Sequence, residues 1–145
     1  MPPLLGDAPG DRRRSGVTAE SEVAEAAHLL IKSFGDHDVE AYFASFTPSA
    51  TFIFHTHPEV VTSRDAYRSL WESWEAEVFR VVSCTSSNQK VTVISDDGAV
   101  FTHSVRTVLE GADEELFERE TIVFHRDGNR WLGVHEHLSL DPSVR

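Results

Sequence analysis

Between Leu116 and Ser139 the chain reads LFERETIVFHRDGNRWLGVHEHLS, two alternating runs on either side of Arg126-Asp127-Gly128-Asn129. Alternation of this kind describes β-strands, and an Asp-Gly-Asn cluster between two such runs describes the turn of a hairpin. In the first arm Glu118, Glu120, Ile122 and Phe124 share one face, and Arg119, Thr121, Val123 and His125 share the other. In the second arm Leu132, Val134, Glu136 and Leu138 alternate with Trp131, Gly133, His135 and His137. A half-solvated hairpin sorts apolar from polar residues; this one sets carboxylates among apolar side chains. Register decides what those carboxylates do. If Asp127, Gly128 and Asn129 form the turn, Arg126 pairs with Arg130 and Glu120 faces Glu136 directly. If only two residues turn, the register slips by one and Glu136 points outward. Two carboxylates at cross-strand distance repel, so one of them keeps a proton unless a cation bridges them.

The rest of the chain supplies helices before this hairpin and strands beside it. Residues 1–16 hold prolines, glycines and the Arg12-Arg13-Arg14 run with little apolar content, and are expected to be a flexible tail. Thr18 is a helix N-cap with Glu20 and Glu22 in the first turn. Val23, Ala26, Ala27, Leu30, Ile31 and Phe34 then follow helical spacing up to Gly35, with His28 beside the stripe. His37 or Asp38 opens a short second helix over Val39–Phe46, stopped by Pro48. Ala50–His55 is a short strand broken at Thr56-His57-Pro58, with Glu59–Thr62 able to pair back. Ser63 caps a third helix from Arg64 to about Val78, with Tyr67, Leu70, Trp71 and Trp74 along one stripe. Strands follow over Phe79–Ile94, Ala99–Leu109, Glu115–His125 and Arg130–Leu140. Helices first and strands last predict an α+β domain over residues 17–140, with helices on one face of an antiparallel sheet and a short tail over 141–145.

Composition excludes several classes. A net charge of −11 offers no surface to neutralise phosphates, so no nucleic-acid partner is expected. The single cysteine, Cys84, rules out an internal disulfide and a multi-cysteine zinc site, and is read as structural. No apolar run approaches the ~18 residues of a membrane span, and Leu4-Leu5 is no signal-peptide core. A cytoplasmic protein without membrane contact is the expectation. No glycine-rich phosphate loop or Ser/His/Asp set is present.

The order of these elements, with Gly35-Asp36 and Asp38-Val39-Glu40-Ala41-Tyr42 after the first helix and Arg119-Glu120-Thr121, His125-Arg126-Asp127-Gly128, Trp131 and His135-Glu136-His137-Leu138-Ser139 at the end, resembles the nuclear-transport-factor-2-like superfamily in its SnoaL-like and ketosteroid-isomerase-like branch. The terminal motif also resembles the association domain of calcium/calmodulin-dependent kinase. The resemblance covers about Val17–Ser139. It implies a cone: a curved, mostly antiparallel sheet wrapped around three N-terminal helices, the cystatin-like α+β barrel, with a ligand pocket inside and dimerisation through the outer sheet face. It places His28 where ketosteroid isomerases keep a catalytic tyrosine, and Glu120 at the position of their second acid. Phe54 stands where they keep a proton-shuttling aspartate, which departs from their chemistry. Arg106 resembles a pocket arginine of the kinase domain, while Ile122 and Leu138 replace two others.

These readings converge on an inward face carrying Glu120 and Glu136, with His28 and Arg106 as the available cations. Such a group in an apolar cone is an acid–base device: Glu120 the acid–base group, His28 its partner at the pocket floor, Arg106 an anion stabiliser, Glu136 the tuning carboxylate. Phe52, Phe54, Tyr67, Trp71, Ile122 and Val134 are the expected pocket wall. The ligand is then a small apolar organic molecule, and any reaction a cofactor-free isomerisation, dehydration or cyclisation by proton transfer. A non-catalytic binding or oligomerisation domain, whose buried network only specifies structure, stays open beside it. His55, His57, His103, His125, His135 and His137 offer donors for zinc or copper if neighbouring strands bring a His-x-His pair together. Alternation puts His135 and His137 on the outer face, and no metal is assigned.

Overall fold

The computed structural model describes residues 18–144, so the tail expected over residues 1–16 lies outside the described residues. Helix α1 (Ala19–Gly35) starts at Thr18, whose hydroxyl accepts the Ser21 N–H at 3.1 Å while the Ser21 hydroxyl accepts the Thr18 N–H at 3.0 Å. This reciprocal box satisfies two backbone donors that the first turn leaves without helical partners. One stripe of α1, from Val23 through Ala27 and Leu30 to Ile31, is buried. At its end a Cβ on Gly35 would stand 3.2 Å from the Cβ of Cys84, so glycine lets the helix terminus rest on the sheet.

Helix α2 (Val39–Ala44) is capped by Asp38, which accepts the Ala41 N–H at 3.3 Å. It stops before Phe46, short of the expected end, because Phe46 is fully buried as the first residue of strand β1 (Phe46–Phe54). Pro48 therefore lies within a strand rather than ending a helix. β1 is an edge strand, where a missing N–H removes no ladder bond, and its register to the next strand shifts between Phe46 and Thr51. The return after the break is a single bridge, Phe52 to Val61. Helix α3 (Arg64–Glu75), capped by Ser63, ends before the expected Val78, which adopts a φ of 70°.

Strands β2 (Val81–Ser95), β3 (Gly98–Leu109), β4 (Leu116–Asp127) and β5 (Arg130–Leu140) form an antiparallel meander, and β1 joins β5 in parallel. The order β1-β5-β4-β3-β2 leaves the sheet open, with β1 and β2 as its edges. The expected α+β architecture is present, with one parallel pair in place of a wholly antiparallel sheet.

The hairpin takes neither simple register. Asp127 pairs with Arg130 across Gly128 and Asn129, with Gly128 supplying a φ of 65°, so the turn is the shorter alternative. That register alone would turn Glu136 outward. Between Phe124–Gly133 and Val123–His135 the ladder slips by one residue, a β-bulge at Val134. Before the bulge Trp131 and Gly133 face the core; after it Glu136 does, buried at 3% exposure. The expected grouping of Leu132 and Val134 with Glu136 is thus corrected: the bulge exchanges the two faces midway. Glu136 lies opposite Ile122, and Glu120 opposite Leu138, so the two carboxyls are diagonal neighbours rather than a direct pair.

Gly133 holds this arrangement. A Cβ there would lie 2.7 Å from Cδ1 of the fully buried Phe46. Gly133→Ala is expected to lower unfolding free energy by about 1–3 kcal/mol through overpacking, measured by urea denaturation. An unchanged midpoint would show that Phe46 has room to move.

Candidate active site

The sheet and helices enclose a cavity of about 350 Å³. Its walls combine Leu30, Ile31 and Phe34 of α1, Phe54 at the end of β1, Tyr67 and Trp74 of α3, and Phe79. Alternation on β3 directs His103, Val105 and Thr107 inward, and alternation on β4 directs Leu116, Glu118 and Glu120 inward. Glu136 and Leu138 reach the cavity from β5, and Tyr42 from α2.

The polar groups form one chain. His103 sits opposite Glu120 in the β3–β4 ladder, and its Nε2 lies 2.6 Å from Glu120 Oε1. Its other ring nitrogen, Nδ1, lies 2.7 Å from the Ser86 hydroxyl, which accepts a bond from Gln89 at 2.8 Å. Burial lowers the His103 pKa from 6.5 to about 4 even with Glu136 nearby, so the ring is neutral at pH 7. The contact with Glu120 is a hydrogen bond between a neutral imidazole and a carboxylate, not an ion pair. Ser86 then donates to Nδ1, and Nε2–H donates to Glu120.

From the other side, Tyr67 and Tyr42 share a hydrogen bond of 2.8 Å, and Tyr42 donates to Glu136 Oε1 at 3.5 Å. Burial raises both phenols well above their ordinary pKa, so both stay protonated. Glu136 is also raised well above the carboxyl range, first by burial and then by the charge of Glu120 and the hydrogen bond between them. Burial raises Glu120 too, but its hydrogen bond with Glu136 favours the ionised form. Of the two, Glu136 is held higher, so it is the member that keeps its proton longer as pH rises. Donation therefore converges on Glu120 from both directions: Gln89, Ser86 and His103 on one side, Tyr67, Tyr42 and Glu136 on the other.

Glu118 is a further acid, its side chain 6% exposed, with Oε2 2.5 Å from Nε2 of His55. Burial raises its pKa while His55 acts in the opposite direction. Cys84 also lines the cavity; burial pushes its thiol to about 12, which makes it a poor nucleophile.

Residues 23–142 match the family model of the SnoaL-like domain. The chain belongs to the SnoaL-like family. Over 132 residues it is 25% identical to the calcium/calmodulin-dependent protein kinase type II subunit delta of Oryctolagus cuniculus, covering 86% of this chain. It spans only 24% of that kinase subunit. Among solved structures it resembles an NTF2-like protein from Cytophaga hutchinsonii (TM-score 0.73, 14% identity, 86% of this chain and 100% of the other). It also resembles a ketosteroid isomerase-like protein from Erwinia carotovora atroseptica (TM-score 0.72, 16% identity, 83% and 95%). Identities this low establish a shared fold and nothing finer.

Against this SnoaL-like frame the expected site residues divide. Glu120, Glu136, Phe54 and Tyr67 do line the cavity. His28 does not: it is exposed on α1, on the side of Glu25 and Lys32, away from the stripe of Ala27, Leu30 and Ile31. Arg106 does not either. It alternates outward between Val105 and Thr107 and pairs with Glu115. Phe52, Trp71 and Ile122 are core residues at 0–1% exposure, not cavity lining, and Val134 is the bulge residue. His103, Tyr42 and Glu118 take the places expected of His28 and Arg106. Among the described residues no cluster of three or more His, Cys, Asp or Glu could hold a metal ion, and the expected outer-face pair His135 and His137 stands with ring centroids 6.4 Å apart.

The proton on Glu136 has a signature in stability. Its folded pKa exceeds the unfolded value, so its contribution is complete below about pH 4.5 and is lost as pH rises toward the raised value. Glu136→Gln has no proton to lose. Its melting temperature relative to the native protein is expected to rise as pH increases above about 4.5, with a linkage of up to about 1.4 kcal/mol per pH unit. His103 acts on the acid side: its stability is present above pH 6.5 and is lost as pH falls through about 4. A melting difference for Glu136→Gln that is flat with pH would mean that Glu136 is ionised.

Proposed function

We propose that this SnoaL-like protein is a cofactor-free acid–base enzyme acting on a small, mostly apolar organic molecule, of the isomerase, dehydratase or cyclase kind. One observation carries the reading: two buried carboxyls, Glu120 and Glu136, share the polar end of an apolar cavity, with burial and the charge of Glu120 holding the pKa of Glu136 the higher of the two. A base and an acid in contact, each held in its working state by its surroundings, is the arrangement that proton transfer at a carbon acid needs.

In this reading Glu120 takes a proton from the carbon next to a carbonyl. The C–H pair becomes the new carbon–carbon double bond and the carbonyl π pair moves onto oxygen, giving an enolate, as the new O–H bond forms on Glu120. Once Glu120 is protonated, Glu136 no longer donates to it, and its proton becomes available to the enolate oxygen or to a departing hydroxyl group. The Tyr42–Tyr67 pair follows as the next donor to Glu136. His103 is a positioning residue that fixes the Glu120 carboxylate from behind.

The test is solvent deuterium exchange into a panel of apolar ketones and enones, followed by NMR. The native protein is expected to label at least one of them, and Glu120→Gln to lose roughly 100- to 10,000-fold of that rate while its melting temperature stays close to native. Exchange that survives in Glu120→Gln would contradict the assignment.

A second reading concerns association. The outer sheet face presents half-buried Val100, Val123 and His135 around the Thr51–His135 hydrogen bond of 2.8 Å. We propose that this face pairs two copies of the chain. Light scattering is expected to give a dimer that Val123→Arg converts to monomer.

A further inference from the structure

The cavity has a sign as well as a shape. Four carboxyl side chains line it: Glu77, Glu118, Glu120 and Glu136. Among the described residues no lysine or arginine lines it, and the one lining imidazole, His103, is held neutral. Arg106 pairs outside the cavity with Glu115, and Arg68 on α3 pairs with Glu40 and Glu72. An anionic ligand would enter with no counter-charge, at the cost of desolvating its own charge. Such a lining disfavours a carboxylate, phosphate or sulfate.

Glu118 gives the opposite sign a place. Along the inner face of β4, Leu116 is 36% exposed while Glu118 (5%), Glu120 (9%) and Ile122 (0%) are all buried, so Leu116 marks the outer end of the strand. Exposed Thr56 and Glu77 lie at the cavity mouth. Glu118 thus stands two residues outward of Glu120, about 7 Å along the strand. His55 takes one of its oxygens, Oε2; among the described residues no hydrogen bond reaches the other, Oε1. A carboxylate on the cavity wall whose second oxygen has no hydrogen bond among the described residues can accept one from a ligand. Aromatic rings line the same cavity: Phe54 and Trp74 with centroids 6.2 Å apart, and Trp74 and Phe79 at 5.5 Å. Carboxylate and aromatic faces together are the chemistry that holds an ammonium group.

We propose that the ligand of this cavity carries a protonated amine on an apolar skeleton, held by Glu118 at the mouth, with its reacting carbon about 7 Å deeper at Glu120. The proposal rests on the acid–base reading of the same cavity and adds the charge and the length of the substrate. It also separates the roles of the two neighbouring acids: Glu118 binds and Glu120 reacts.

The test uses 4-phenylbutylamine, 4-phenylbutan-1-ol and 4-phenylbutanoate, three charges on one skeleton, titrated calorimetrically into the native protein and into Glu118→Gln. The expected order is amine, alcohol, carboxylate, with the amine about tenfold or more tighter than the alcohol. Glu118→Gln is expected to remove that preference while leaving the alcohol within about threefold. The native ranking carries the charge claim by itself should the variant fail to fold. An amine that binds no better than the alcohol overturns the proposal and leaves the cavity reading intact. A preferred carboxylate overturns it outright, and an amine preference that survives Glu118→Gln overturns the placement at Glu118. If none of the three binds, both this inference and the apolar-ligand reading fail together.

Discussion

A carboxylate buried without a cation is costly, and the interior of this protein is arranged around meeting that cost at Glu120. Glu120 is 9% exposed, and the ring hydrogen-bonded to it is a neutral histidine. What stabilises it is direction: His103 and Glu136 are both placed to donate toward it. The neutral imidazole gives its Nε2–H because Ser86 occupies Nδ1. Glu136 gives a proton because burial and repulsion keep it protonated. A single ionised group with donors on both sides is a tolerable buried charge, and it is also a poised base.

The fold exists in this form to bring those groups together. Glu120 and His103 meet because the β3–β4 ladder places them opposite one another. Glu136 arrives only through the bulge at Val134, which reverses the facing of β5 midway. Gly133, beside the bulge, lets Phe46 pack against the strand so that β1 can dock in parallel. Below the carboxyls, a continuous aromatic set from Tyr42 and Phe46 to Trp71 and Phe79 excludes water and lowers the dielectric that shifts their pKa values.

Local signals in the sequence carried most of the secondary structure, because caps and alternation act over a few residues. Thr18 and Ser63 cap where expected, and the four-stranded meander follows its turns. Glu120 and Glu136 do point inward together, though for a different reason from the one expected: a two-residue turn followed by a bulge reproduces the inward facing that a longer turn would have given. A bulge inside a regular run has no signature in period-two alternation. The family resemblance points to His28 and Arg106 against their own local pattern: His28 lies off the α1 stripe, and Arg106 alternates with Val105 and Thr107. The same alternation on β3 marks His103 beside Phe101 and Val105, so that residue was legible. Tyr42 was not, since only the docking of α2 on the sheet brings its hydroxyl to Glu136.

The most direct measurement of the central claim is a carboxyl-carbon NMR titration of protein labelled at the glutamate side chains, with Glu120→Gln and Glu136→Gln assigning the two resonances. One carboxyl that remains protonated at pH 7, absent from the Glu136→Gln spectrum, with the Glu120 resonance already in its ionised position, is the result predicted. Two carboxyls that both ionise below pH 5 would contradict it, leaving a buried polar network without a poised acid and base.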